Sequence, residues 1–119
     1  MTLAGLEAAI RASWGRDTSD DPDEWTPDWA SRGQCAPTAR VLRDYLGGEI
    51  LIADVLLGGE RTVERHAWNR LPSGLEIDIT SCQFLRGETL GVPEVAEPTR
   101  ETVATAAILA ARVRERLAA

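Results

Sequence analysis

The sequence predicts an α+β domain: an N-terminal helix, a central helix that starts at Cys35 and packs on a small antiparallel sheet, and a C-terminal helix. Three observations carry that prediction. Apolar residues recur at helical spacing over 3–14, 36–46 and 99–118. Runs of strand-forming residues occupy 49–57, 63–71 and 75–80. Glycine-containing turns stand between those runs. With 119 residues, 44% of them hydrophobic, the chain can fill a single core, so 1–119 forms one domain.

In the first helix, Leu3, Leu6, Ile10 and Trp14 share a stripe, with Thr2 as N-cap and Gly15 as stop. Residues 17–32 change character, interleaving Asp17, Asp20, Asp21, Asp23, Glu24 and Asp28 with Pro22, Pro27, Trp25 and Trp29. Proline and aspartate at that density give an irregular loop, which the tryptophans pin to the body. Its acidic residues could bind a cation or a basic substrate, but a solvated face is the expectation. Ala36, Ala39, Leu42 and Leu46 make the stripe of the central helix; Pro37 suits its first turn and Gly47-Gly48 ends it. Cys35 therefore stands at or just before a helix N-terminus.

Residues 49–57 form the first strand, and Gly58-Gly59 turns the chain towards a second over 63–71. Pro72-Ser73-Gly74 makes a three-residue hairpin loop, with Gly74 in the left-handed position, leading to a third strand over 75–80. Residues 83–98 carry Gly87, Gly91, Pro93 and Pro98 and predict loop with at most one short strand; Gln83 and Phe84 fold the chain back. Val103, Ala106, Ala110, Val113 and Leu117 line the final helix.

The net charge is −6, all 13 basic residues are arginine, and none of them cluster. That excludes the electrostatic footprint of a nucleic-acid or anionic-membrane binder. No apolar run approaches the roughly 20 residues of a membrane span. Residues 1–14 lack the pattern of a signal peptide, so a cytoplasmic location is expected. Two cysteines, Cys35 and Cys82, are too few for a disulfide framework and are expected as free thiols.

Cys35, the chain's single histidine His66, and Asp78 follow one another in the order thiol, imidazole, carboxylate. These are the parts of an activated sulfur nucleophile: the thiolate attacks, the imidazole carries the proton, and the carboxylate fixes the imidazole. Strand alternation puts His66 and Trp68 on one face and Ala67 and Asn69 on the other. If the hairpin pairs Leu71 with Leu75, His66 and Asp78 become diagonal neighbours on one face, with Cβ atoms roughly 7 Å apart or less. A one-residue slip would separate them. A helix N-terminus favours a thiolate and turns N–H groups towards a developing oxyanion. The Gln34 amide is a further donor offered to that oxygen. Trp68 packs beside the site, and Asn69, turned away from His66, supports it through backbone bonding.

A family likeness rests on Gly33-Gln34-Cys35-Ala36 with Thr38-Ala39, on Asp44-Tyr45-Leu46-Gly47-Gly48-Glu49, on His66 with Trp68-Asn69-Arg70-Leu71-Pro72, and on Asp78 with Thr80, Gln83 and Phe84. These segments, with Ser13-Trp14, Thr18 and Trp29, resemble the YunG family of small bacterial proteins. More distantly, the order of helix-borne cysteine, strand-borne histidine and strand-borne aspartate resembles the papain-like and transglutaminase-like cysteine enzymes. That resemblance implies Cys35 as nucleophile, His66 as base and Asp78 as orienting acid. The implied reaction is hydrolysis, deamidation or transfer on a substrate bearing an amide or ester, with no cofactor and no metal. Two alternatives stay open. The short chain, with no evident specificity loop, suits a non-catalytic ligand- or protein-binding module that keeps the fold. A zinc site using Cys35, His66 and Cys82, with Asp78, is the other, although no C-x-x-C or H-x-x-x-H spacing supports it.

Overall fold

A computed structural model describes residues 1–81 and 87–119. Expectations that fall on 82–86, including those for Cys82, Gln83 and Phe84, lie outside the described residues. The architecture is α+β, with α1 (Leu3–Ser13), α2 (Cys35–Leu46), β1 (Glu49–Leu57), β2 (Glu60–Arg70), β3 (Glu76–Ile77), β4 (Glu88–Leu90), β5 (Glu94–Val95) and α3 (Arg100–Ala118). None of these helices is long and apolar enough to cross a membrane.

Side-chain caps start two of the helices. Thr2 Oγ1 accepts the Gly5 N–H at 3.0 Å, and Thr99 Oγ1 accepts the Thr102 N–H at 3.3 Å; such caps contribute about 1 kcal/mol each. The three helices pack together through Leu6, Ala9, Ile10, Val41, Leu42, Leu109 and Val113. The buried face of α3 differs from the expected stripe. Thr102, Ala106, Leu109 and Val113 point inward, whereas Val103 is 46% exposed. The polar tie at its first turns accounts for that rotation: the Thr102 and Thr105 hydroxyls each donate to Asp20 at 2.7 Å.

The sheet is antiparallel in the order β3-β2-β1-β4, with β5 also paired to β1. The second edge of β1 is thus covered in two pieces where at most one strand was expected. Val55–Leu57 pair with Glu88–Leu90, and Leu51–Ile52 pair with Glu94–Val95. Pro93, which has no N–H to give a ladder, lies between the two pieces. On the other edge, β2 begins earlier than expected, at Glu60, and follows β1 through an irregularity near Val55. There the Thr62 hydroxyl donates to the Val55 carbonyl at 2.8 Å and takes the place of a ladder bond.

The hairpin register is the expected one. Leu71 N–H donates to Leu75 O at 2.8 Å, and Asn69 and Arg70 pair with Ile77 and Glu76. The third strand is a correction: β3 stops at Ile77 rather than continuing to residue 80. Asp78 Oδ1 accepts both the backbone N–H and the hydroxyl of Thr80, each at 3.2 Å. That local turn competes with the ladder. Ile79 meanwhile buries itself in the helical core beside Leu6 and Leu109. The chain therefore leaves the sheet just where the expected site begins.

α2 lies on the sheet face formed by Ile50 and Ala67, which pack on Ala39. Asn69 Nδ2 donates to the Ala39 carbonyl at 2.9 Å on that same face. Trp68, Leu51 and Ala53 cluster on the opposite face, with Leu90 against them.

The acidic loop is irregular, as expected, but its aspartates are not simply solvated. Asp17 is bound by the Arg112 guanidinium, Asp20 by the two threonines of α3, and Asp21 by Arg32. The tryptophans add their own ties. Arg16 lies over Trp25 and Arg32 over Trp29, at 5.7 and 4.8 Å from the ring centroids, and Trp25 Nε1 donates to Ala30 O.

Leu109, fully buried, and Val92, 91% exposed, make a direct check of this packing. Leu109→Ala is expected to lower stability by about 2–5 kcal/mol, and Val92→Ala to leave it within about 0.5 kcal/mol. Urea midpoints at unchanged slope read both; equal shifts would contradict the assignment of the core.

Candidate active site

Cys35 is the first residue of α2. Its position is set by the residues before it. Gly33 adopts φ +73°, and a Cβ there would fall 2.2 Å from Ser19 Oγ and 2.6 Å from Asp21 N, so the chain passes too close for any side chain. Gln34 occupies the N-cap position without capping the helix. Its fully buried amide reaches sideways instead: Nε2 donates to Gly15 O at 2.9 Å, and Oε1 accepts the Thr18 hydroxyl at 2.8 Å. The sequence offers this amide to an oxyanion; in the structure it ties the turn at 15–18 to the start of α2. The Asp20 N–H donates to Gly33 O at 2.9 Å and reinforces the same tie.

Cys35 is a free thiol, half-buried, and near enough to His66 to act on its protonation. His66 is fully buried. Its Nε2 lies 2.7 Å from Asp78 Oδ2, so the imidazole N–H donates to the carboxylate. The structure thus brings Cys35, His66 and Asp78 together, the imidazole hydrogen-bonded to the carboxylate and the thiol beside it. The other oxygen of Asp78 is the one held by Thr80. Trp68 covers one face of the imidazole, stacked with centroids 5.9 Å apart and planes 18° from parallel, while its Nε1 donates to Glu76 Oε1 at 2.7 Å. Asn69 stands apart from this line, with its amide on Ala39.

Burial alone pushes the His66 pKa down. The hydrogen bond to Asp78, the nearby Cys35 sulfur and the charges of both outweigh burial and raise it to about 9.

A cleft of about 160 Å³ opens beside the sulfur, lined by Asp20, Asp21, Arg32, Glu64 and Arg65 together with Cys35. The hold of Thr80 on Asp78, and the meeting of the acidic loop with Arg32, Glu64 and Arg65 in this wall, are absent from the sequence expectations. Thr80 carried a local signal, since an aspartate commonly bonds the backbone two residues on. No local pattern joins Asp20, Arg32 and Glu64, which meet only through the fold.

A profile of the YunG protein family matches residues 2–118. The chain belongs to the YunG family. It is 35% identical over 75 residues to a protein of Bacillus subtilis (strain 168) described as uncharacterized protein YunG. That match covers 63% of this YunG-family chain and 56% of the relative, so it spans little more than half of that protein's length. No solved structure matches the chain. Among the described residues, no group of three or more histidine, cysteine, aspartate or glutamate side chains is arranged to hold a metal ion. The zinc alternative needs Cys82, which lies outside them.

The raised pKa of His66 makes stability depend on pH in a defined direction. The unfolded imidazole titrates near 6.5 and the folded one near 9. The contribution is therefore fully present below pH 6.5 and is lost as pH rises through 9, with a size on the order of 3 kcal/mol. In Asp78→Asn this loss over the alkaline window is expected to flatten. Thermal melts of both proteins from pH 6 to 10 check it, and parallel curves would contradict the ion-pair account.

Proposed function

We propose that this chain is a cysteine-dependent acyl-transfer enzyme acting on an amide or ester through Cys35, His66 and Asp78. The observation that carries the reading is a half-buried thiol beside a fully buried imidazole that is hydrogen-bonded to a carboxylate, itself held by Thr80. Nucleophile, base and orienting acid stand in that relation in cysteine hydrolases. We extend the reading to the fold: helix-borne cysteine, strand-borne histidine and the aspartate that follows are the order of a papain-like or transglutaminase-like core. A cytoplasmic setting, where thiols stay reduced, suits a free nucleophilic cysteine.

In the proposed reaction the Cys35 thiolate attacks the carbonyl carbon, a C–S bond forms, and the carbonyl electron pair moves to oxygen. Pro37 has no N–H, and the Thr38 N–H already donates to Gln34 O at 2.9 Å. The Cys35 and Ala36 N–H groups at the start of α2 are thus the donors assigned to that oxyanion. Collapse expels the amine or alcohol, which takes a proton from the His66 imidazolium, and leaves a thioester. Water, or an amine acceptor, then gives a proton to His66 and attacks the thioester, releasing acid or amide and regenerating the thiolate. Hydrolysis, deamidation and transfer differ only in leaving group and acceptor. Asp78 keeps the imidazole oriented throughout, and Trp68 shields one of its faces.

A second reading is a binding module that retains the fold. The size of the cleft favours it, since about 160 Å³ is below the roughly 300–1,000 Å³ of typical small-molecule pockets. Iodoacetamide labelling near pH 7, followed at Cys35 by mass spectrometry of its peptide, separates the two. An activated site is expected to react about tenfold faster than a free thiol. His66→Ala should abolish the excess, and Thr80→Val should reduce it while leaving the protein folded. Labelling no faster than 2-mercaptoethanol, or unchanged in His66→Ala, would leave the binding module as the better account.

A further inference from the structure

We infer that the cleft beside Cys35 selects acyl compounds that carry a cationic group, an amine or a guanidinium, close to the reacting carbonyl. The inference rests on the acyl-transfer reading of Cys35 and adds the substrate class to it. Its basis is how the charges around the cleft are held. Asp20 forms part of the wall, and its two oxygens accept from the Thr102 and Thr105 hydroxyls at 2.7 Å each. Those donors are neutral, so they orient the carboxylate without cancelling its charge.

Neither cleft arginine offsets that charge. Arg32 is shared by two carboxylates, Asp21 at 2.6 Å and Glu64 at 2.7 Å, and its guanidinium is stacked on Trp29. Arg65 is likewise shared, between Asp54 at 3.4 Å and Glu94 at 2.8 Å. Each guanidinium thus faces two acids, and the described wall is negative overall. Val55 and Ala36 supply apolar wall between the charges. A net negative charge along a partly apolar cleft concentrates cations there. A cation on the acyl compound would meet Asp20 and the outer oxygens of Asp21 and Glu64 as its carbonyl met the sulfur, whereas an anion would be repelled.

The test uses paired methanethiosulfonates, one bearing an ethyltrimethylammonium group and the other an ethylsulfonate. In both, the Cys35 thiolate forms an S–S bond to the reagent's sulfenyl sulfur, and methanesulfinate leaves with the electron pair. Rates at Cys35 are read by peptide-resolved mass spectrometry, and the cation-to-anion ratio is divided by that of 2-mercaptoethanol. The expected ratio is about tenfold, which corresponds to about 1.4 kcal/mol. It should fall about threefold in Asp20→Asn and in Glu64→Gln, and shrink towards one in high salt. Glu64 is a half-exposed side chain, so its variant keeps the test open if Asp20→Asn fails to fold. A ratio of one, a preference for the anion, or a ratio untouched by both variants overturns the inference. His66→Ala separates the underlying reading. It should slow both probes equally, and if it slows neither, acyl transfer fails while any charge preference stands as a property of a binding cleft.

Discussion

The buried His66–Asp78 hydrogen bond is the constraint around which the sheet's margin is arranged. An imidazole with no exposed surface loses its water, and burying a polar group without partners costs several kcal/mol. At 2.7 Å, Asp78 supplies the partner for one ring nitrogen, and Cys35 lies beside the ring. Asp78 has left the ladder to do so, and that lets it also accept the N–H and hydroxyl of Thr80, which a strand-bound residue could not. The shortness of β3, the turn at 78–80 and the plunge of Ile79 into the helical core are thus one arrangement. Trp68 completes it by closing a ring face that would otherwise admit water.

A similar economy governs the loop before Cys35. Its aspartates look like solvent-facing charge in the sequence, yet they are spent on holding the loop in place. Asp17 takes Arg112, Asp20 takes two threonines, and Asp21 takes Arg32. Gln34, the residue next to the thiol, gives its whole amide to the turn at 15–18. The result is a loop of few apolar contacts held by directional polar bonds. Such bonds each contribute modestly, but they fix position more narrowly than apolar packing does. Beside a nucleophile, position is what matters: small displacements of a reacting atom cost rate steeply.

Legibility in the sequence followed the range of the interactions. The helix boundaries, the glycine turns and the hairpin register rest on local patterns, and the placement of Cys35, His66 and Asp78 follows from them. The length of β3 did not, because alternation in 75–80 matches a strand as well as it matches a residue pair followed by an Asx turn. The rotation of α3 escaped for a related reason. Val103 and Leu109 are both apolar, and the bonds from Thr102 and Thr105 to the distant Asp20 favour the face that turns inward. The Gln34 amide shows the limit within the site itself. Its neighbour is the thiol, but its partners, Gly15 and Thr18, come from the far end of the loop, and nothing in the spacing announces them.

A thiol carried by a helix and an imidazole carried by a strand meet only if the helix sits on the sheet at one depth and one rotation. Apolar contact among Ala39, Ile50 and Ala67 does not impose that, because such contact is non-directional. The bond from Asn69 to the Ala39 carbonyl does. Ala39 lies one helical turn beyond Cys35, and Asn69 lies three residues beyond His66 on the same strand, so this one bond links the two elements just behind the site. Asn69 is almost completely buried, and an amide donor there has no solvent to turn to if the helix shifts. Alternation that keeps Asn69 away from the imidazole is therefore what lets it act on the thiol: from the far face of β2, it holds the helix that presents Cys35 to His66.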